Sequence, residues 1–511
     1  MSRKRKVLHG SASNLLRVLL SMLVSLVVPP FLVHRLSTAE YSAWVLILQL
    51  SGYVSLLDLG LQTAVGKFIA EHDAVDDRST SSGVLSTSFT ILSAGAIIGA
   101  GVIAILTWRV PQLFHQMPPA LVGSVRVGLL TVGLSVAFAL PFGAFSSAFL
   151  GLQEYLFPTV LATVSRVLSA TGLVVLVLKH GSLVEFAVLM ACFNVVTAAM
   201  QFLGWRKYLR ERVDFSFAFF DRKTALRLVK YGSVLSIWSL ASLLVSGLDI
   251  VIVGHYDYRN TGFYAVASAV TNFMLTVVGS IFGPVLPAVS SLQAVSTPRQ
   301  IGDLLVRVTR YCTVLLCLFG SALLFAGYPL LSLWVGHNYA VRSAMFLEIL
   351  VLANVVKQLT YPYSLVVVAT GRQHLATIAA VSEALVNIVV SVLLVQRIGA
   401  LGVAIGTLVG AFVILGMHLA VSMHYTQSTI LIRRSRFALQ ALLRPLLSLT
   451  PSLLLYPFWR RFNMLPANPG LLAAWALLTL AIAWRIGLTA EDRQELINGA
   501  SRLLYWRVQH T

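Results

Sequence analysis

The 511-residue sequence contains 57% hydrophobic and only 11% charged residues, and its formal net charge is +19. Ordinary soluble domains contain about 25% charged residues, so this composition excludes a soluble catalytic domain of this length. The apolar residues recur in stretches of about 20 residues, which is the length that crosses a ~30 Å hydrocarbon core. The sequence therefore predicts an all-α integral membrane protein.

Fourteen membrane-spanning helices are predicted, and the even number places both termini on one side of the membrane. They cover residues 12–33, 41–65, 84–108, 121–149, 157–178, 184–204, 231–254, 262–289, 309–331, 343–369, 374–395, 401–423, 439–458 and 470–488. Lysine and arginine are concentrated on the side of the termini, and this bias identifies that side as the cytoplasm. The segment 206–230 holds eight of them. We interpret it as a linker that contacts anionic lipid head groups rather than nucleic acid.

The two halves of the sequence match each other at nearly constant offsets. Six residues recur 218 to 223 positions later: Tyr41, Gly60, Pro141, Gly151, Gln153 and Gly181 match Tyr264, Gly283, Pro362, Gly371, Gln373 and Gly399. This pattern predicts two parallel six-helix repeats, formed by spans 1–6 and 7–12, around a central cavity. Pro141 and Pro362 fall inside spans, where proline should kink the helix.

The repeat predicts four regions of the chain. An N-terminal six-helix lobe covers 1–205, the basic cytoplasmic linker covers 206–230, and a C-terminal six-helix lobe covers 231–424. Two additional helices and a cytoplasmic amphipathic tail cover 425–511. In that tail, Thr489 and Asp492 have the spacing of a capping box that opens a helix.

Polar side chains inside the predicted spans follow helical spacing and form stripes. An ionised side chain at mid-bilayer costs at least ~2.5–3.5 kcal/mol, so these residues are expected to face one another or water. The predicted lining of the central cavity is Asn14, Arg17, Asp58, Arg166, Asp249, Asn354, Lys357, Tyr361, Glu383 and Asn387. The Ser and Thr residues of these stripes have a structural alternative, because such residues also hold membrane helices together. Arg17 could snorkel to the interface, and Asp58 and Asp249 could cap helix ends.

The sequence lacks the signatures of the common membrane and soluble enzymes. It has no Walker loop, no GxSxG elbow and no HExxH motif, and its eleven histidines lack metal-ligand spacing. Cys192, Cys312 and Cys317 lie inside predicted spans and are interpreted as small apolar fillers. We therefore expect no enzymatic activity, no metal site and no cofactor.

Several segments resemble one known family. They are RLSTAEYSAW at 35–44, LDLGL at 57–61, LDIVIVG at 248–254, GFYA at 262–265 and GALGVAIG at 399–406. These segments are similar to lipid-linked oligosaccharide flippases, the polysaccharide-export branch of the multidrug/oligosaccharidyl-lipid/polysaccharide (MOP) exporter superfamily. Ser37 and Ser42 stand where that family usually has glycine. The resemblance covers about 1–425.

The resemblance implies transport of an undecaprenyl-pyrophosphate-linked oligosaccharide from the inner to the outer leaflet of a bacterial inner membrane. Arg17, Arg166 and Lys357 would then bind the pyrophosphate, since cations are its natural counter-charge. Glu383 is the candidate for a coupling ion, H+ or Na+. The expected partners are the lipid-linked oligosaccharide, membrane lipids and other polysaccharide-assembly proteins, without nucleic acid.

Two alternatives remain open at the level of the sequence. A MATE-like drug or cation antiporter has the same architecture, and the number of acidic and basic residues within spans favours neither function. A membrane-embedded glycosyltransferase or polymerase would be expected to carry a longer external loop with carboxylates or arginines.

Overall fold

The computed structural model describes residues 20, 23–233, 247–293, 296–461, 469–495 and 497–498. The regular structure of these residues is entirely helical, and eleven of their helical segments are long and apolar enough to cross a membrane. The prediction of an all-α membrane protein is thus confirmed. The chain forms two compact units, Met1–Ala265 and Val266–Thr511.

The first unit contains helices α1 to α10 and the start of α11. Their bounds are α1 Leu23–Arg35, α2 Thr38–Gly52, α3 Leu61–Asp73, α4 Arg78–Leu113, α5 Pro119–Ala139, α6 Gly143–Gly151, α7 Leu156–Leu178, α8 Leu183–Tyr208, α9 222–233, α10 Asp249–Tyr256 and α11 Thr261–Phe282.

The second unit begins within α11 and continues to the C-terminal segment. Its further helices are α12 Val285–Leu292, α13 Pro298–Val335, α14 His337–Gln358, α15 Tyr361–Ala369, α16 Gln373–Ile398, α17 Ala400–Tyr425, α18 Arg434–Leu455 and α19 Pro469–Ile482. A short helix at 490–495 follows α19.

Eleven of the fourteen predicted spans coincide with the eleven membrane-length segments. The predicted spans 12–33 and 231–254 include residues outside those that the structure describes. The span predicted at 470–488 corresponds to α19 and the π-helical turn Ala483–Gly487 that follows it. The count of fourteen stays a prediction.

The second and eighth predicted spans are both interrupted at a glycine of the sequence repeat. After α2, a 3-10 turn leads to Leu59 and Gly60, whose φ angles of 49° and 65° are left-handed. Such angles end a helix, and glycine adopts them without steric cost. In the second unit, α11 ends at Phe282 and α12 begins after Gly283 and Pro284.

The two proline kinks predicted from the sequence are also present. Pro141 lies between α5, which ends at Ala139, and α6, which begins at Gly143. Pro362 lies in the first turn of α15, two residues after the break that follows α14. A proline in a first turn, such as Pro362, removes an N–H that would have no helical partner in any case. Pro141 lies in the break before α6, so both prolines lie where a helix restarts.

Capping boxes define where several helices begin. Ser37 caps α2, Ser182 caps α8 and Thr297 caps α13, each with a Glu or Gln three residues later that bonds back to the cap. The predicted box at Thr489 is confirmed. The Asp492 N–H donates to Thr489 Oγ1 at 3.2 Å, and the Thr489 N–H donates to Asp492 Oδ2 at 2.9 Å.

The basic segment 206–230 is folded against the start of α4. Three hydroxyl groups of α4 accept backbone N–H groups at 2.8 to 3.2 Å: Ser82 from Asp214, Ser86 from Ser216 and Thr87 from Asp221. Asp221 then caps α9, and hydrogen bonds from Thr224 hold the pKa of its carboxyl below the usual range. This segment is therefore an ordered part of the first unit.

Candidate functional site

The second unit brings two of the predicted charged residues together as an ion pair. Lys357, in the last turn of α14, places its Nζ 3.0 Å from Oε1 of Glu383 on α16. The Glu383 side chain is 2% exposed, whereas that of Lys357 is 23% exposed. Among the described residues, the Lys357 ammonium is the one partner that the structure gives Oε1 of Glu383. The carboxylate is thus enclosed, while the lysine side chain is partly exposed.

A face of α17 without side chains fixes the position of Glu383. Gly402, Gly406 and Gly410 follow one another at intervals of four and therefore lie on one face of the helix. A Cβ atom on Gly410 would lie 3.3 Å from the carbonyl oxygen of Glu383, and one on Gly406 would overlap Ser391. The absence of side chains lets α16 and α17 approach at backbone distance, which encloses Glu383 between helices.

The predicted polar neighbours of the pair bond largely to their own helices. Asn387, one turn after Glu383, is buried and accepts a hydrogen bond from Ser391 Oγ at 3.0 Å. Asn354 Nδ2 donates to the Leu350 carbonyl at 2.8 Å. Tyr361 starts α15, four residues after Lys357, and is half-buried. The structure places these residues near the pair along the helices, and their role as cavity lining stays a prediction.

Arg166 is the predicted cation of the first unit that the structure describes. It lies on α7 with an exposed side chain, and its carbonyl accepts a hydrogen bond from Ser169 Oγ at 3.0 Å. The predicted residues Asn14 and Arg17 lie outside the described residues.

The two predicted carboxylates of the first unit have structural partners. Asp58 accepts the Gln62 N–H at 3.1 Å and so caps the start of α3. Asp249 is buried in the first turn of α10 and accepts a hydrogen bond from the Tyr264 hydroxyl at 3.1 Å. Both contacts match the capping and pairing alternative that the sequence left open for these residues.

A second buried ion pair, Arg310 with Asp492, was not anticipated from the sequence. The Arg310 guanidinium on α13 also donates to the Gln440 carbonyl at 3.1 Å and to Thr489 Oγ1 at 3.0 Å. Asp492 further accepts from Tyr311 at 3.2 Å. In the sequence, an arginine at the edge of a predicted span is indistinguishable from an ordinary flanking charge. The one signal was that Arg307 and Arg310 are three residues apart, which places them on one helix face, where both contact Asp492.

A buried histidine joins α15 to α17. The His418 ring lies 3.0 Å from Ser364 Oγ and 3.2 Å from Ser422 Oγ, and it begins a π-helical turn. Both ring nitrogens therefore have hydroxyl partners. The only signal in the sequence was a single histidine within an apolar span.

The arrangement around Lys357 can bind an anion. An ammonium group carries three N–H donors, and Glu383 contacts one side of it. Phosphate oxygens form strong, charge-assisted hydrogen bonds with such a group. Lys357 thus combines a position on a helix of membrane-crossing length with a partly exposed side chain.

Comparison with protein families matches residues 7–293, more than half of the chain, to the family described as polysaccharide biosynthesis protein. A curated relative named "Putative O-antigen transporter", from Shigella flexneri, is 20% identical over 402 residues. The matched region covers 78% of this chain and 93% of that relative.

Solved structures with the same fold include flippases and drug transporters. The lipid II flippase MurJ in an inward closed conformation has a TM-score of 0.69 at 15% identity, covering 93% of this chain and 97% of that one. An inward-facing MATE family multidrug resistance transporter of the MOP superfamily has a TM-score of 0.61 at 13% identity, with coverages of 80% and 99%. A Vibrio cholerae MATE transporter has a TM-score of 0.59 at 15% identity, with coverages of 83% and 97%. At these identities the similarity establishes the fold.

Proposed function

Because the chain belongs to the polysaccharide biosynthesis protein family, within the MOP superfamily that its motifs resemble, we propose that it flips a lipid-linked oligosaccharide. The cargo is an undecaprenyl pyrophosphate that bears a short glycan, and it moves from the inner to the outer leaflet by alternating access. The name of the Shigella flexneri relative supports a glycan cargo. No bond is made or broken in this process, so the protein acts as a transporter and not as an enzyme.

The partly exposed, cationic side chain of Lys357 is the observation that carries this proposal. A pyrophosphate cannot cross hydrocarbon without a counter-charge, and a cation within the spans supplies one. Lys357 lies on a helix of membrane-crossing length and keeps 23% of its side chain exposed. Arg166, exposed on α7, and Arg17 are the further cations of the proposed head-group site.

The proposed architecture has fourteen spans, with two parallel six-helix repeats around a central cavity. Its support is the recurrence of helix interruptions at matched positions, Gly60 with Gly283 and Pro141 with Pro362. Interrupted helices are typical of transporters that work by alternating access. Both termini are proposed to be cytoplasmic in a bacterial inner membrane, with Glu383 as the site of a coupling ion, H+ or Na+.

The proposal is tested by neutralising the cations in cells that depend on this transporter. Lys357→Ala and Arg166→Ala should each reduce export of the glycan strongly, because a charge-assisted hydrogen bond contributes roughly 1.5–3 kcal/mol. The measurement is the accumulation of lipid-linked oligosaccharide on the inner leaflet. Lys179→Ala is the matched control, since Lys179 is an exposed lysine at the end of α7 and should not affect export.

Normal glycan export by the Arg166→Ala/Lys357→Ala protein would contradict the proposal. Transport of an organic cation by that same protein would then favour a MATE-like antiporter, whose fold it shares.

A further inference from the structure

The geometry points to Glu383 as a built-in competitor of the substrate for Lys357, an inference that rests on the proposed function. In the unloaded protein the carboxylate occupies the ammonium, and the phosphate of the cargo displaces it. Binding and release of the cargo would therefore be an exchange of anions on one lysine.

The first support is the difference in accessibility between the two groups. The Glu383 side chain is 2% exposed and that of Lys357 is 23% exposed, so the lysine is the more accessible partner of the pair. Glu383 is held by the close contact of its backbone with Gly410. Lys357, in contrast, has a flexible four-carbon stem at the end of a helix. The lysine is the partner that can move between two anions.

The second support is that the ion pair is incompletely bonded. Among the described residues, the structure gives Glu383 Oε1 one partner, the Lys357 ammonium at 3.0 Å. A buried pair of this kind keeps Lys357 neutralised without saturating its three donors. A phosphate group, with several acceptor oxygens, can offer the ammonium more bonds than this carboxylate does.

If Glu383 competes with the cargo, removing its charge frees Lys357, so the affinity for the anion should rise. If Glu383 instead helped to bind the cargo, the same change should lower that affinity. Coupling of this kind between two ligands typically changes affinity by about 5- to 150-fold, and the lower end of that range is measurable.

The experiment uses the full-length purified protein in lipid nanodiscs and farnesyl diphosphate as the probe. Glu383→Gln should lower the Kd at least about fivefold, and Lys357→Gln should raise it. The double variant should bind as weakly as Lys357→Gln alone, because Glu383 acts only through Lys357. Glu348→Gln makes the same chemical change on α14, nine residues from Lys357 and on another face of the helix, and should leave the Kd unchanged.

Glu383→Asp covers the case in which Glu383→Gln fails to fold. It keeps the charge but shortens the side chain by one methylene group, so the ion pair is weakened and the Kd should fall between those of wild type and Glu383→Gln. Inner-leaflet accumulation in cells should rise with Glu383→Gln, since a tightly held cargo is released slowly.

Two outcomes separate this inference from the proposed function. If Glu383→Gln, or Glu383→Asp in its place, leaves the Kd unchanged or raises it while Lys357→Gln also raises it, Lys357 binds the anion and the competition is refuted. If neither residue affects the Kd, the head-group role of Lys357 fails, and the competition fails with it.

Discussion

Two buried ion pairs of the second unit differ in how completely their charged groups are bonded. The Arg310 guanidinium donates to a carbonyl, a hydroxyl and the Asp492 carboxylate, and that carboxylate also accepts from Thr489 and Tyr311. The Lys357 ammonium lies 3.0 Å from Glu383 Oε1, and the structure gives that oxygen no further partner among the described residues. Each group of the first pair thus has several partners, whereas Glu383 Oε1 in the second pair has one.

This difference separates a structural pair from an exchangeable one. The free-energy cost of desolvating two charges is offset only when their remaining donors and acceptors are also bonded. The Arg310 network meets that condition. It joins α13 to the helix at 490–495 and to Gln440 on α18. In the described part of the chain, the partner that the structure gives the Lys357 ammonium is Glu383, and an ammonium has three donors, so it can also bond to a charged cargo.

The largest expected effect is the loss of the Arg310 network. Arg310→Met leaves the buried Asp492 without its cation and should destabilise the second unit by about 3–5 kcal/mol, as broken buried pairs typically do. Thermal unfolding of the purified protein in detergent measures this. If the free energy of unfolding changed by less than about 1 kcal/mol, the Arg310 pair would contribute no more to stability than an exposed pair does.

A smaller effect is expected from filling the glycine face of α17. Gly406→Ala places a methyl group on Ser391, so α16 must shift, and overpacking of this kind costs about 1–3 kcal/mol. The shift should also weaken the contact of Glu383 with Lys357, and farnesyl diphosphate should then bind more tightly. Gly416→Ala is the matched control, because a Cβ atom at Gly416 meets open space. Equal stability of the two variants would contradict the close approach of the helices.

The Arg310 network should also make stability depend on pH. Burial raises the pKa of the Asp492 carboxyl, but hydrogen bonds from Thr489 and the charge of Arg310 outweigh it and hold the pKa below its usual range. The stabilisation is therefore fully present above the unfolded pKa of about 4 and is lost as pH falls through the lower folded value. Unfolding temperatures of wild type should fall more steeply below about pH 4 than those of Asp492→Asn. If the unfolding temperatures of the two proteins fell in parallel with pH, the Arg310 network would not be the source of the pH dependence.

The smallest effect on stability is expected at an exposed ion pair that also involves α13. Arg436 lies 2.7 Å from Asp303 of α13, and both side chains are nearly half exposed, at 46% and 48%. Exposed pairs contribute about 0–1 kcal/mol, so Arg436→Ala should barely change the unfolding temperature at 0.15 M salt. A loss of stability as large as that of Arg310→Met would show that side-chain exposure does not determine how much an ion pair contributes.

The sequence predicted local features well because they depend on neighbouring residues. The capping box at Thr489 and the helix interruptions at Pro141 and Pro362 follow from the bonding and ring geometry of a few residues, and the structure contains all of them. The membrane-crossing segments were likewise visible as apolar runs of the required length.

The predicted site was less complete, because its contacts depend on which helices are neighbours. Lys357 and Glu383 were both identified, but their pairing depends on the tertiary contact between α14 and α16, which no spacing in the sequence reveals. The prediction for Asp58 assumed that the span 41–65 is one continuous helix. The left-handed residues Leu59 and Gly60 interrupt it, and Asp58 bonds to the start of α3 beyond that interruption.

The Arg310 network also has a consequence for the biosynthesis of the protein. Arg310 and Asp492 are 182 residues apart, and a ribosome that adds ~5–20 residues per second needs roughly 10 to 40 s to cover that distance. During this interval the nascent chain carries an arginine at the edge of a membrane helix without the carboxylate that neutralises it. Translation of the segment around Asp492 thus supplies the carboxylates that pair with α13, and termination just before it would leave Arg310 and Arg307 without these partners.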